Sequence, residues 1–137
     1  MKKVVIPALV AAIGMIAAGI VISYLFNFLF PSLKAEYQNT LLFRPWKDPL
    51  MYLMFIQPFL LAVALAWGWD KIKTLFQGAL GRKAFNFTLV YLVIAIVPGM
   101  LMSVSSFQIS VLMTLTWTIS SFFQVWLAAH IFMRMSK

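Results

Sequence analysis

The sequence predicts an all-α fold, an integral membrane four-helix bundle, on three observations. All fourteen formally charged side chains fall within 36 of the 137 residues. The other 101 residues form three charge-free runs, Val4–Leu33, Pro49–Trp69 and Ala84–Met133. No segment of about ten residues alternates apolar and polar positions between turn signals, so a membrane β-barrel is not expected. A soluble domain must carry charges over its whole surface and cannot hide so much unbroken apolar chain. A helix needs about 20 mainly apolar residues to cross the hydrocarbon core. One domain is expected at this length.

The first run supplies one span near residues 4–30, and the second supplies one near 50–69. The third, of 50 residues, would be about 75 Å long as one helix at ~1.5 Å per residue, too long for a single crossing. Its only central polar cluster, Ser103 to Gln108, is where it turns back. That yields spans near 87–102 and 109–133. Cations set the orientation, because short loops rich in Lys and Arg stay cytoplasmic. One side carries Lys2, Lys3, Lys71, Lys73, Arg82, Lys83, Arg134 and Lys137, and the other carries Lys34, Arg44 and Lys47. Both termini are therefore expected in the cytoplasm, of a prokaryotic cell with the chain in its cytoplasmic membrane. The net charge of +8 implies anionic lipid head groups at the cytoplasmic face as partners. Cations divided between two faces form no continuous groove, so no nucleic-acid partner is expected. Lys2-Lys3 and the apolar stretch after them resemble a signal peptide, but the stretch runs far past 7–15 residues, which favours a retained span.

Within span 1, Ala11, Gly14 and Ala18 share a face, and Gly14/Ala18 form a small-xxx-small pair. Such faces let helices approach closely, either within the bundle or against a partner. The loop from Pro31 to Pro49 holds Glu36, Tyr37, Arg44, Trp46 and Asp48. Tyr37 and Trp46 suit the interfacial aromatic belt. Pro45 and Pro49 force extended or turn conformations on the residues before them, and Asp48 is placed to cap the next helix with Pro49 at its first position. Glu36, Arg44 and Asp48 together are a candidate outer ligand or partner site, or simply a capped loop with local ion pairs.

Span 2 contains Gln57-Pro58 and span 3 contains Pro98-Gly99; each proline removes a backbone donor and favours a kink. Over residues 70–80, apolar positions 72, 75, 76, 79 and 80 follow helical spacing opposite cations. This predicts an amphipathic interfacial helix stopped by Gly81. Span 4 carries Ser110, Thr114, Trp117, Ser121, Gln124 and Ala128 at steps of three and four, a single stripe. Polar groups at membrane depth turn away from lipid, so this stripe faces the bundle or a partner. His130, without a nearby carboxylate in sequence, is read as interfacial.

The only acids, Glu36, Asp48 and Asp70, lie outside the spans, and there is no cysteine. Coupled transport, metal binding and hydrolytic triads all need groups this inventory lacks, so no catalytic residue, cofactor or metal is expected. The segment Leu42-Phe43-Arg44-Pro45-Trp46-Lys47-Asp48-Pro49-Leu50-Met51 resembles a stretch of uncharacterised small four-span prokaryotic membrane proteins. That resemblance implies four spans and brings no activity. The patterns of the fluoride-channel family and of the membrane-associated glutathione-dependent enzymes are missing. Three functions stay open. One is a non-enzymatic protein working through helix packing, as a homo-oligomer or an accessory subunit among other membrane subunits. The second is a passive carrier or channel for a small neutral or anionic solute, lined by Gln57, Thr114, Ser121 and Gln124. The third is a membrane enzyme acting on a lipophilic substrate through Glu36, Arg44 or Asp48.

Overall fold

A computed structural model describes residues 2–135. The chain is helical throughout its ordered elements: α1 (Lys2–Leu29), α2 (Pro31–Tyr37), α3 (Leu53–Ile72), α4 (Leu80–Tyr91), α5 (Val97–Ser106) and α6 (Val111–Met135). A 3-10 turn, Pro49–Tyr52, leads into α3, and a π-helical turn, Leu92–Ile96, joins α4 to α5. Four stretches are long and apolar enough to cross a membrane: Val4–Leu29, Pro49–Leu75, Leu80–Ser106 and Val111–Met135.

The π turn has a chemical cause. Pro98 has no N–H to give to the preceding turn, and its ring would crowd a regular α-helical carbonyl there. Widening the turn just before it relieves that crowding and carries the helix on into α5.

Two sequence expectations are corrected between α3 and α4. The amphipathic helix over 70–80 does not form. α3 runs to Ile72, a single 3-10 turn covers Lys73–Leu75, and the chain then reverses. Phe76 leaves the helical path to join Trp69 and Phe87 in a ring cluster, with centroids 5.5–6.0 Å apart. Gly78 makes the reversal at φ 102°, a conformation that a Cβ disfavours. Gly81 consequently stops nothing and lies in the first turn of α4, which begins seven residues before the expected start of span 3 and takes in Arg82 and Lys83. The turn after Ser106 falls where the polar cluster placed it.

α1 packs antiparallel to α6: Gly14 lies against Leu127 and Ile131, and Gly19 against Gln124. The main core gathers at the end of the bundle that carries both termini. There Ala8, Ala11, Ala12 and Met15 of α1 meet Ala62, Leu65, Ala66 and Trp69 of α3, Ala84 and Phe87 of α4, and Val125, Ala128, Ala129 and Phe132 of α6. Alanines on all four of these helices let the backbones close up. A second, smaller core of Leu33, Ile109 and Met113 lies at the opposite end. The start of α3 belongs to neither, and Tyr52–Gln57 are exposed on every side of the helix.

Candidate functional site

The loop end is organised by α2. Phe26 and Phe30 stack at the end of α1, Pro31 opens α2, and Leu33 is buried beneath it. This delivers Glu36 to the start of α6. Its carboxylate accepts the Ser110 backbone N–H at 2.6 Å and the Ser110 hydroxyl at 2.7 Å. The same hydroxyl oxygen accepts the Met113 N–H at 3.0 Å. In a capping box, the N-cap hydroxyl takes an N–H of the first turn while a carboxylate takes the N-cap N–H. Here the carboxylate comes from 74 residues away. The negative charge also sits at the positive end of the α6 dipole.

Beside this cap, the Trp117 indole N–H donates to the Tyr37 hydroxyl at 2.5 Å. Phe43 packs edge-on to Trp117 and tilted against Tyr37. Burial pushes the Tyr37 phenol above its ordinary value, the indole bond pulling the other way. Arg44 pairs instead with Asp48 at 2.7 Å, and Asp48 accepts the Leu50 N–H at 2.9 Å, capping the 3-10 turn ahead of α3 with Pro49 in its first position. The Arg44 bond and then the Leu50 N–H hold the Asp48 carboxyl below the usual carboxylate range. Glu36 thus bonds to the start of α6, while Arg44 and Asp48 pair with each other in the loop.

The α6 stripe divides in the same way. Ser110 is the cap, Thr114 is buried with its hydroxyl donating to the Ser110 carbonyl at 3.2 Å, and Ala128 is buried in the main core. Trp117 belongs to the aromatic cluster, and Ser121 is half-buried. Gln124 donates to Ser120 at 2.9 Å and lies over Gly19, where a Cβ would stand 3.1 Å from its amide nitrogen. The face meeting α1 at the loop end is therefore Thr116, Ser120 and Gln124, which shares only Gln124 with the expected stripe. It opposes Gly19, Ser23 and Asn27 of α1.

Sequence reasoning missed Ser23, Asn27, Thr116 and Ser120. Their four-residue spacing on each helix was available as a signal. Ser23, Asn27, Tyr37, Thr116, Trp117 and Ser120 contribute to a cavity of about 40 Å³. Thr116 and Thr118 satisfy their hydroxyls on carbonyls of their own helix, each at 2.8 Å. Asn27 holds Ser23 through its amide nitrogen at 3.5 Å, while its buried carbonyl oxygen has no protein partner. A water needs roughly 10–15 Å³ of such space and two or more polar partners, so this cavity has the size for water and not for a larger solute.

Gln57 lies elsewhere. It is exposed on α3, is not part of that cavity and makes no hydrogen bond among the described residues. Its direction is about 130° around the helix from the mean of Ala62, Leu65, Ala66 and Trp69, which face the core. Ala64 and Gly68, seven and eleven residues on, return to within about 20° of it. A Cβ built at Gly68 would meet nothing within 4 Å. No cluster of three or more His, Cys, Asp or Glu with metal-binding potential occurs among the described residues.

Fold and site together define an all-helical protein with four helices suited to crossing a membrane. Comparison with known proteins adds no family to that class: no family model, curated protein or solved structure matches the chain.

Proposed function

We propose that the chain is an integral protein of a prokaryotic cytoplasmic membrane, with both termini cytoplasmic. In this reading it acts without catalysis, through helix packing, as a homo-oligomer or an accessory subunit of a membrane complex. The observation that carries the reading is the outward face of α3. Gln57 stands eight residues, about 12 Å, inside the Pro49–Leu75 stretch with no hydrogen-bond partner. An amide at that depth gains roughly 0.6–2 kcal/mol from an interhelical partner. Below it, Ala64 and Gly68 form an open small-xxx-small pair that allows close backbone approach. On α1, by contrast, Ala11 lies in the core and Gly14 packs against Leu127 and Ile131, while Ala18 borders the groove between α1 and α6.

The uses of the acids also support a non-catalytic role. Glu36 caps α6, Asp48 caps the turn ahead of α3, and Asp70 accepts from Lys73 at 2.8 Å. The carrier reading draws no comparable support, since the polar cavity between α1 and α6 is water-sized and Gln57 points away from it.

The test uses the absence of native cysteine. Single cysteines at Ala64 and Gly68 should cross-link to a copy or another subunit in intact membranes, and one at Val63, on a different face, should not. Gln57→Leu should weaken the cross-link. A lone monomer in mild detergent, with no protein captured through either position, would sink the proposal.

A further inference from the structure

Along the junction of α1 and α6 on the side away from α3 runs a groove of about 600 Å³. Its walls are apolar, formed chiefly by Ile22 of α1 and by Phe123, Leu127 and Ile131 of α6. Trp126 lies along it, and Arg134 stands at its end in the last turn of α6. From Phe123 to Arg134 is eleven helical steps, about 16 Å. Half of the ~30 Å hydrocarbon core is about 15 Å, so the groove has the length of one leaflet. Its apolar part lies at acyl-chain depth when Arg134 is at the head-group level.

We infer that this groove is a binding site for one anionic phospholipid of the leaflet on the side of the termini. An acyl chain lies along Phe123, Leu127 and Ile131, and the phosphate is held by Arg134. Charge selects this occupant. Arg134 makes no ion pair among the described residues, whose two salt bridges are Arg44–Asp48 and Lys73–Asp70. Glu36 and Asp48 lie at the other end of the molecule, and Asp70, at the same end as Arg134, accepts from Lys73 at 2.8 Å. An apolar slot ended by an unneutralised guanidinium accepts a lipid with a net negative head group better than a zwitterionic one, whose own cation would be brought up against Arg134.

His130 strengthens the head-group end. Its Nδ1 is 2.9 Å from the Trp126 carbonyl, to which it donates, so in the neutral ring Nε2 is an acceptor, suited to a head-group hydroxyl such as that of a glycerol rather than to the phosphate. The ring stands edge-on to the Trp126 indole, with centroids 4.9 Å apart, which holds both side chains along the groove. A basic pocket between helices at a cytoplasmic surface is a known way of binding phospholipid head groups. The inference rests on the membrane reading above but not on the helix-packing role.

The experiment reconstitutes the full chain in phosphatidylcholine vesicles. These are doped with either brominated phosphatidylglycerol or brominated phosphatidylcholine, and quenching of tryptophan emission is followed. Native protein should show a component saturating at lower mole fraction of the anionic lipid, and Trp126→Phe should remove it. Arg134→Gln should weaken that component about fivefold, the share of one basic residue at a membrane surface, while quenching by brominated phosphatidylcholine stays unchanged. Equal quenching by the two lipids in native protein would overturn the site. So would a preference that survives Arg134→Gln, or one that survives Trp126→Phe. No quenching by either lipid would instead remove the membrane reading on which the site depends.

Discussion

Glu36 is the residue through which the loop end can be undone. Replacing it with alanine removes two bonds from an ionised acceptor, at 2.6 and 2.7 Å, and leaves the first turn of α6 with its N-cap unsupported. Bonds to charged groups contribute about 1.5–3 kcal/mol each when shielded. The Glu36–Ser110 contact is only partly buried, which places each nearer the low end. A carboxylate at a helix N-terminus adds about 0.3–1 kcal/mol. Allowing for water replacing part of this, Glu36→Ala should loosen the start of α6 by about 2 kcal/mol. Ser110→Ala removes one Glu36 bond and the acceptor for the Met113 N–H, about 1–2 kcal/mol for a lost cap. The double variant should cost about 1 kcal/mol less than the sum, because the bond from the Ser110 hydroxyl to Glu36 is lost in either single change. The Ser110 N–H bond to Glu36 survives Ser110→Ala and stays outside the coupling. Hydrogen exchange on peptides covering residues 107–114 reads this locally, and Glu36→Ala should speed exchange there about 30-fold. Additive single effects, within ~0.3–0.5 kcal/mol, would refute the shared cap.

Two further predictions come from polar groups elsewhere. Asn27→Leu removes the buried carbonyl oxygen that lacks a protein partner, so it should leave thermal stability in detergent unchanged or raised. A drop of more than about 1 kcal/mol would show that the amide is bonded through the cavity. Asp48 has a lowered folded-state pKa, so its contribution is present above the ordinary carboxylate value and fades as pH falls through the lowered one. Arg44→Ala should raise the Asp48 titration midpoint seen by carboxyl NMR, with little change in overall unfolding because the pair is solvent-exposed. Equal midpoints with and without Arg44 would contradict the pairing.

The four long helices were legible because uncharged runs of the length a bilayer crossing needs stand apart in the sequence, although α3 and α4 run on past the charges at 70–71 and 82–83. Asp48-Pro49 was legible because a cap and a proline act on neighbouring residues. The 70–80 segment misled because its helical spacing is real, yet Phe76 leaves the helix and packs against Trp69 and Phe87. Phe87 lies on α4, and local periodicity carries no trace of that contact. Glu36 failed to announce itself for a similar reason, since its partner is 74 residues away. On α6, sequence reasoning found Gln124 but passed over Thr116 and Ser120. Hydroxyls and amides occur on two adjacent stripes, and the small and polar residues of α1 at 19, 23 and 27 select Thr116, Ser120 and Gln124 as the stripe they meet.

The small residues carry the sharpest consequence, because the same sequence motif does two different jobs. On α1, Gly14 is spent inside the molecule: a Cβ there would stand 3.3 Å from Ile131 and 3.4 Å from Leu127. On α3, Gly68 meets nothing. Leucine at Gly14 must therefore push α1 off α6, and overpacking of this kind costs about 1–3 kcal/mol. Leucine at Gly68 projects from a free face, and replacing glycine inside a helix relieves its backbone entropy by up to about 1 kcal/mol. Gly14→Leu should lower the unfolding temperature of detergent-solubilised monomer, whereas Gly68→Leu should keep or raise it and abolish association in membranes. The pair separates folding from assembly with one chemical change. Were Gly14→Leu to disperse the complex while leaving the monomer stable, the partner surface would lie on α1, and the packing assigned to α1 and α6 would be wrong.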